Sequence, residues 1–202
     1  MKTLFIPVKS KELVKENQIL KILKPLPKDI IIAYSVQYEN LAKKIKNLLG
    51  KHNILSFIQV LGCSKPKIPK KAKAILLISS GKFHAVSLAY ETKIPVYILN
   101  SNKLQKISKK DLEIIEKNQK ISYLKFLNSK KIGILISTKP GQNRLKKAIG
   151  FKKKIKNKKS YLFLGNNINP QEFENFKIDS WVNTACPRLD MEDNRIINIS
   201  KL

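Results

Sequence analysis

Short apolar runs of strand length alternate along the chain with Lys-rich stretches whose apolar residues recur at helical spacing. Strands are predicted at 3–8, 30–36, 54–59, 74–79 and 96–99. Between them the pattern predicts helices at 11–24, at 39–49 with Gly50 as a stop signal, and at 83–91. This alternation is the signature of a parallel sheet covered on both faces. From 108 to 127 the pattern turns into a polar, Lys-rich helix with an intermittent apolar stripe of Leu112, Ile115, Leu124 and Leu127. A second series follows: strand 132–137, helix 143–154, strand 161–164, short helix 170–176 and strand 180–183, with 195–200 as an edge strand. The expected fold is α/β: two Rossmann-like lobes with parallel sheets, at 1–107 and 131–202, joined by a connecting helix over 108–130.

Composition narrows the class. The chain has 202 residues, 43% of them apolar and 27% charged, with 7 Gly and 9 Pro, which excludes a disordered or fibrous protein. No apolar run approaches the ~18 to 20 residues needed to cross a bilayer. The opening Met1–Val8 is too short for a signal peptide and has no small-residue cleavage site. A cytoplasmic protein without a membrane is expected. The net charge of +27 comes from 41 basic and 14 acidic residues. Only Arg144, Arg188 and Arg195 are arginine, which leaves 38 lysines. Lys is a solvated point charge that lacks the fork used at specific phosphate and guanine contacts, so nucleic acid is not expected as the main ligand. A field this one-sided still attracts an acidic partner.

Two cysteines, Cys63 and Cys186, lie far apart in an apparently cytosolic chain, which argues against a structural disulfide. Each sits just past a predicted strand, at what reads as an equivalent place in its lobe. Loops at the carboxyl ends of parallel strands are where α/β folds place their chemistry. The two thiols are therefore either metal ligands that converge on one point or buried strand-end residues. Ser137-Thr138-Lys139-Pro140-Gly141-Gln142-Asn143-Arg144 leaves a buried strand and opens a helix, which suits a carboxylate or phosphate, or else forms a plain Pro-Gly turn. Ser79-Ser80-Gly81-Lys82-Phe83-His84 repeats that setting in the first lobe; there His84 either meets a substrate carboxylate or a proton, or simply caps and packs. His52, in the turn after Gly50, reads as solvated. In Asn183-Thr184-Ala185-Cys186-Pro187-Arg188, Pro187 ends the strand and can aim Cys186 out of the sheet, and Arg188 favours a thiolate beside it. The alternative is a strand-ending turn with an exposed arginine.

Taken in order, these segments resemble the diphthamide synthase family, the 2-(3-amino-3-carboxypropyl)histidine synthases, and in particular their archaeal members. The matching stretches are Gln59-Val60-Leu61-Gly62-Cys63, then Ser80 to His84 with Leu88-Ala89 and Thr92 to Val96, then Ser137 to Gln142 with Arg144, and Trp181 to Arg188. The resemblance implies a plan of three α/β lobes, each giving one cysteine to a [4Fe-4S] cluster, with this chain as the middle and last lobes. Cys63 and Cys186 would then be metal ligands. Lys139, Gly141 and Gln142 would help bind S-adenosylmethionine, the co-substrate, and His84 and Arg188 would act as catalytic residues. The implied activity is a radical-type transfer of the 3-amino-3-carboxypropyl group to a histidine of translation elongation factor 2, the protein substrate, by a dimeric assembly.

The chain departs from that family in three places. Residue 1 falls where the link into the middle lobe would be, so the first lobe and its cysteine are expected from a separate small protein, making a split enzyme. Ala85 follows His84 where Pro is usual, and Ser79 stands for a Gly. A short tail follows Arg188. The other readings are a noncatalytic or degenerate homologous subunit and a basic nucleic-acid-binding module. Quinolinate synthase shares the three-lobed plan, but the Ser137 to Gln142 and Asn183 to Arg188 stretches do not resemble it.

Overall fold

The structure is a computed structural model that describes residues 4, 6, 8–11, 15–61, 66–100 and 102–202. It divides into two compact units, 1–112 and 113–202, and the division falls inside a long helix.

In the first unit, strands β1 (Asp29–Tyr34), β2 (Asn53–Gln59), β3 (Ala74–Ile78), β4 (Val96–Asn100) and β5 (Lys103–Lys106) form one sheet in the order β2-β1-β3-β4-β5. All pairings are parallel except β4 with β5. Side chains alternate along β1. Ile30, Ile32 and Tyr34 pack with Ile19 and Leu23 of α1 (Glu16–Leu23) and with Leu41, Ala42 and Ile45 of α2 (Glu39–Leu48). Ile31 and Ala33 face the other way, onto Ala85, Leu88 and Ala89 of α3 (Lys82–Thr92). Ile30, Ile31 and Ile32 are fully buried, and each such side chain contributes roughly 1.5–3 kcal/mol through removal from water. A sheet covered on both faces explains why β1 and β3 read as unbroken apolar runs.

Helix α4 (Lys109–Asn128) begins at a reciprocal cap. The Asp111 N–H donates to Ser108 Oγ at 3.1 Å, while Asp111 Oδ2 accepts from the Ser108 N–H at 3.1 Å and its hydroxyl at 2.7 Å. The second unit's sheet has the order β7-β6-β8-β9, all parallel, from β6 (Lys131–Ser137), β7 (Lys159–Gly165), β8 (Ser180–Asn183) and β9 (Ile196–Asn198). Ile134, Ile136, Val182 and Ile197 pack on one face with Ala148 of α5 (Leu145–Lys154). The other face is aromatic. Trp181 meets Phe163 and Phe173 at ring-centroid distances of 4.8 and 4.6 Å, and its ring lies so close over Gly133 that no side chain fits there.

The doubly covered α/β architecture is the expected one, with several local corrections. Half of the strand expected at 3–8 lies outside the described residues, and its described members Leu4, Ile6 and Val8 are exposed and join neither sheet. The first helix is shorter than 11–24, and residues 12–14 lie outside the described residues. The segment expected as helix 170–176 is a 3-10 turn at Pro170–Phe173, held where Asn169 Oδ1 accepts the Gln171 N–H at 3.2 Å. Strand β5 lies outside the expected pattern because Lys103-Leu104-Gln105-Lys106 is a polar edge; the chain reverses into it through Asn102 at φ 65. A short helix, α6 (Arg188–Glu192), follows Pro187 directly.

Candidate functional site

Strands β6 and β8 lie side by side in parallel register, Ile132 opposite Ser180 through Leu135 opposite Asn183. Their following loops, 138–144 and 184–187, therefore leave the same edge of the sheet. Because β7 sits on the far side of β6, this edge is a point where chain order reverses, and such crevices are the usual ligand positions in open α/β sheets.

The loop after β8 is fixed from within. Asn183 is fully buried. Its Nδ2 donates to the Cys186 carbonyl at 2.7 Å and to Asp190 Oδ1 at 3.1 Å, and its Oδ1 accepts the Ala185 N–H at 2.7 Å. Asp190 Oδ1 also accepts from Asn198 Nδ2 at 3.2 Å, and Thr184 Oγ1 donates to the Leu135 carbonyl at 2.7 Å. Burial pushes the Asp190 carboxyl above its ordinary value, with the Asn198 and Asn183 amides working against that shift. Cys186 thus rides on a backbone tied to β6, β8, α6 and β9. Its thiol is free and half-buried. Arg188 is exposed at the first residue of α6.

The loop after β6 is a tight turn. The Gln142 and Asn143 N–H groups donate to the Lys139 carbonyl at 3.0 and 3.2 Å. The buried Ser137 hydroxyl accepts the Lys139 N–H at 3.2 Å and donates to the Asn166 carbonyl at 3.2 Å. Gly141 has φ +78 with open space where a side chain would point, so the backbone angle alone calls for glycine. Half-buried Lys139 and Gln142 therefore flank a backbone that a ligand can approach closely.

His84 lies in the first unit, in the first turn of α3 just beyond β3, half-buried and edge-on to Phe83 at 5.4 Å. Cys63 lies outside the described residues. The topology corrects one expectation about it. β2, the strand that precedes Cys63 in sequence, is an edge strand in the place β7 holds, whereas β8 occupies the place of β3, so the two cysteines do not follow equivalent strands. His52 is also not solvated as expected: it is half-buried, and its Nδ1 has no hydrogen-bond partner. The buried Asn183, Asp190 and Asn198 network escaped the sequence reading. Its one signal was the presence of Asp190 and Asn198 amid the apolar residues Leu189, Ile196, Ile197 and Ile199.

Among the described residues no group of three His, Cys, Asp or Glu side chains is placed to hold a metal ion, and no helix is long and apolar enough to cross a membrane.

Comparison with known proteins matches residues 1–196 to the family described as "Putative diphthamide synthesis protein". The chain is 28% identical over 208 residues to a 2-(3-amino-3-carboxypropyl)histidine synthase of Pyrococcus horikoshii, covering 95% of this chain and 60% of that protein. It is 30% identical over 209 residues to the protein of the same name from Methanocaldococcus jannaschii, covering 96% and 57%. The chain thus spans about 60% of the length of the curated relatives it matches. Two crystal structures of Dph2 from Pyrococcus horikoshii, one with a 4Fe-4S cluster, superpose at a TM-score of 0.78 and 25% identity over 93% of this chain and 61% of theirs. With a match running through nearly all of its residues, the chain belongs to the diphthamide synthesis protein family.

Proposed function

We propose that this chain forms the second and third lobes of a 2-(3-amino-3-carboxypropyl)histidine synthase and acts in the first step of diphthamide biosynthesis. The observation that carries the reading is the place of Cys186: a free, half-buried thiol on a hydrogen-bonded loop at the carboxyl end of β8, in a family with a cluster-bearing Dph2 structure. That donor fits a [4Fe-4S] cluster, since a soft thiolate in a partly dry, fixed loop is what iron–sulfur ligation requires. Cys63 is the second ligand. The third comes from a first lobe that these residues, with two cysteines between them, do not include.

A [4Fe-4S] cluster held by Cys63 and Cys186 would supply one electron to open the Cγ–S bond of S-adenosylmethionine, releasing methylthioadenosine; the 3-amino-3-carboxypropyl radical would add to an imidazole carbon of elongation factor 2, and loss of one electron and of the ring C–H proton would restore the aromatic ring. The chain's own residues bind and orient. The Lys139 ammonium pairs with the carboxylate of the methionine moiety, and Gly141 lets that group approach the backbone. The Gln142 amide supplies a further donor. Arg188 holds positive charge beside the Cys186 loop, and His84 orients a polar group or moves a proton from its place at the start of α3. The assembly is dimeric and cytoplasmic.

The test is anaerobic copurification with a lobe that supplies the third thiolate, followed by incubation with elongation factor 2, S-adenosylmethionine and a reductant. The expected result is a mass gain of one 3-amino-3-carboxypropyl group on a single histidine, lost in Cys63→Ala and in Cys186→Ala. Full modification by both variants overturns the ligand assignment.

A further inference from the structure

The second half of α4 turns apolar side chains toward solvent. Leu124 is 57% and Leu127 49% exposed, and Ile121 is half-buried beside them. Spacing by three places them on one side of the helix. Around the end of α4, Ile121, Leu124, Lys125, Asn128 and Ser129 form, with Asp179, an open groove of about 390 Å³. Contiguous exposed apolar surface of this kind marks an interaction site more often than scattered single residues do.

Charge decides the occupant. Between Glu116 and Glu172 the sequence contains no Asp or Glu, while Lys117, Lys120, Lys125, Lys130 and Lys131 follow one another along α4 and into β6. Lys117, Lys120, Lys130 and Lys131 are exposed. Lys125 is half-buried, donates to Asn194 Oδ1 at 2.8 Å and feels the Asp193 carboxylate, so the exposed Lys117 and Lys120 carry most of the unneutralised charge. The Asp179 carboxylate in the groove is already engaged, accepting the Lys131 and Lys130 N–H groups at 2.8 Å each. A second copy docking through this same face would set its own row of lysines against this one and is repelled here. A nucleic-acid backbone would meet the lysines, and the exposed Tyr123 ring beside them could stack on a base, but Ile121 and Leu124 in the groove offer no stacking plane. An acidic polypeptide with an apolar side chain complements both features.

We propose that this face of α4 docks an acidic amphipathic segment of a partner protein, with an apolar side chain in the Ile121 and Leu124 groove and carboxylates against Lys117, Lys120 and Lys125. The proposal rests on charge and exposure within the second unit and is independent of the chemistry assigned to Cys186.

The experiment is a fluorescence-anisotropy titration of the full chain into three labelled probes of equal charge: an amphipathic Glu/Leu peptide of about two heptads, polyglutamate and oligouridylate. The Glu/Leu peptide binds at least about tenfold more tightly than the other two, and Leu124→Ser weakens it about tenfold while leaving polyglutamate affinity unchanged. Leu124 is exposed, so its variant keeps the melting temperature of the parent, and Lys117→Gln with Lys120→Gln weakens binding by every probe. Equal affinity for polyglutamate and the Glu/Leu peptide overturns the proposal, as does tightest binding by oligouridylate. A Leu124→Ser variant that binds normally also overturns it, and so does a concentration-dependent dimer that Leu124→Ser abolishes.

Discussion

Replacing Asn183 by Ala tests how the Cys186 loop is held. The substitution removes three hydrogen bonds at once: to the Cys186 carbonyl at 2.7 Å, to Asp190 Oδ1 at 3.1 Å and from the Ala185 N–H at 2.7 Å. Each is worth about 0.5–1.5 kcal/mol net, and a buried polar group left without a partner costs about 1–3 kcal/mol. The Ala185 N–H loses its acceptor, whereas Asp190 retains the Asn198 amide. Because these effects overlap within one network, the expected loss is about 3–5 kcal/mol. For a unit of this size each kcal/mol shifts the melting temperature by about 4–8 °C, so the second unit should melt roughly 12–40 °C earlier. Urea titration and calorimetry read the stability, and mass spectrometry after iodoacetamide treatment reads the alkylation rate of Cys186, which should rise as the loop loosens. A loss under about 1 kcal/mol, or an unchanged alkylation rate, would refute the claim that Asn183 fixes the loop. Asn183→Asp is the companion variant. It keeps an acceptor for Ala185 but sets a second carboxyl against Asp190, so its destabilisation should grow with pH.

Gly133→Ala drives a methyl group into the Trp181 ring, so the variant should lose at least about 1–3 kcal/mol and change the near-ultraviolet circular dichroism of the single tryptophan. Asp190 is buried with its carboxyl raised, so the folded state binds its proton more tightly than the unfolded state; stability falls as pH rises from the ordinary carboxyl value through the folded one. Asp190→Asn should remove that slope in urea midpoints measured between about pH 4 and 7. Asp111 runs the other way: hydrogen bonding from the Ser108 hydroxyl holds its carboxyl low, so its contribution is present above the ordinary carboxyl value and fades as pH falls through the folded one. Asp111→Asn should erase this acid sensitivity and loosen the cap of α4, seen as faster exchange of the Ser108 amide, which donates to the Asp111 carboxylate.

The parts of the fold that were legible in the sequence are those where burial writes a pattern. Ile30–Ala33 and Ala74–Ile78 are covered on both sides, so they stand out as continuous apolar runs. The edge strand Lys103–Lys106 is covered on neither side well enough to need such residues and left no trace. Helix α6 is too short for a period to appear in Arg188–Glu192. At the site, Cys186 could be found because a strand, a small residue and a proline bracket it, and Lys139, Gly141 and Gln142 because a Pro-Gly turn follows a strand. The amide of Asn183 gains its meaning only from Asp190 and Asn198, which α6 and β9 bring to it, and no spacing rule encodes that return. His52 sits in a sequence rich in turn formers, yet it is half-buried, which its neighbours in the chain do not reveal.

Cluster ligation by Cys186 is tested most directly by alkylation of that residue before and after anaerobic reconstitution with iron and sulfide, in the presence of a lobe that supplies the third thiolate. Loading should protect Cys186 from iodoacetamide in step with the brown absorbance of the cluster, and removal of iron by a chelator should restore labelling. Full cluster absorbance with Cys186 still labelled at its unloaded rate would contradict the account.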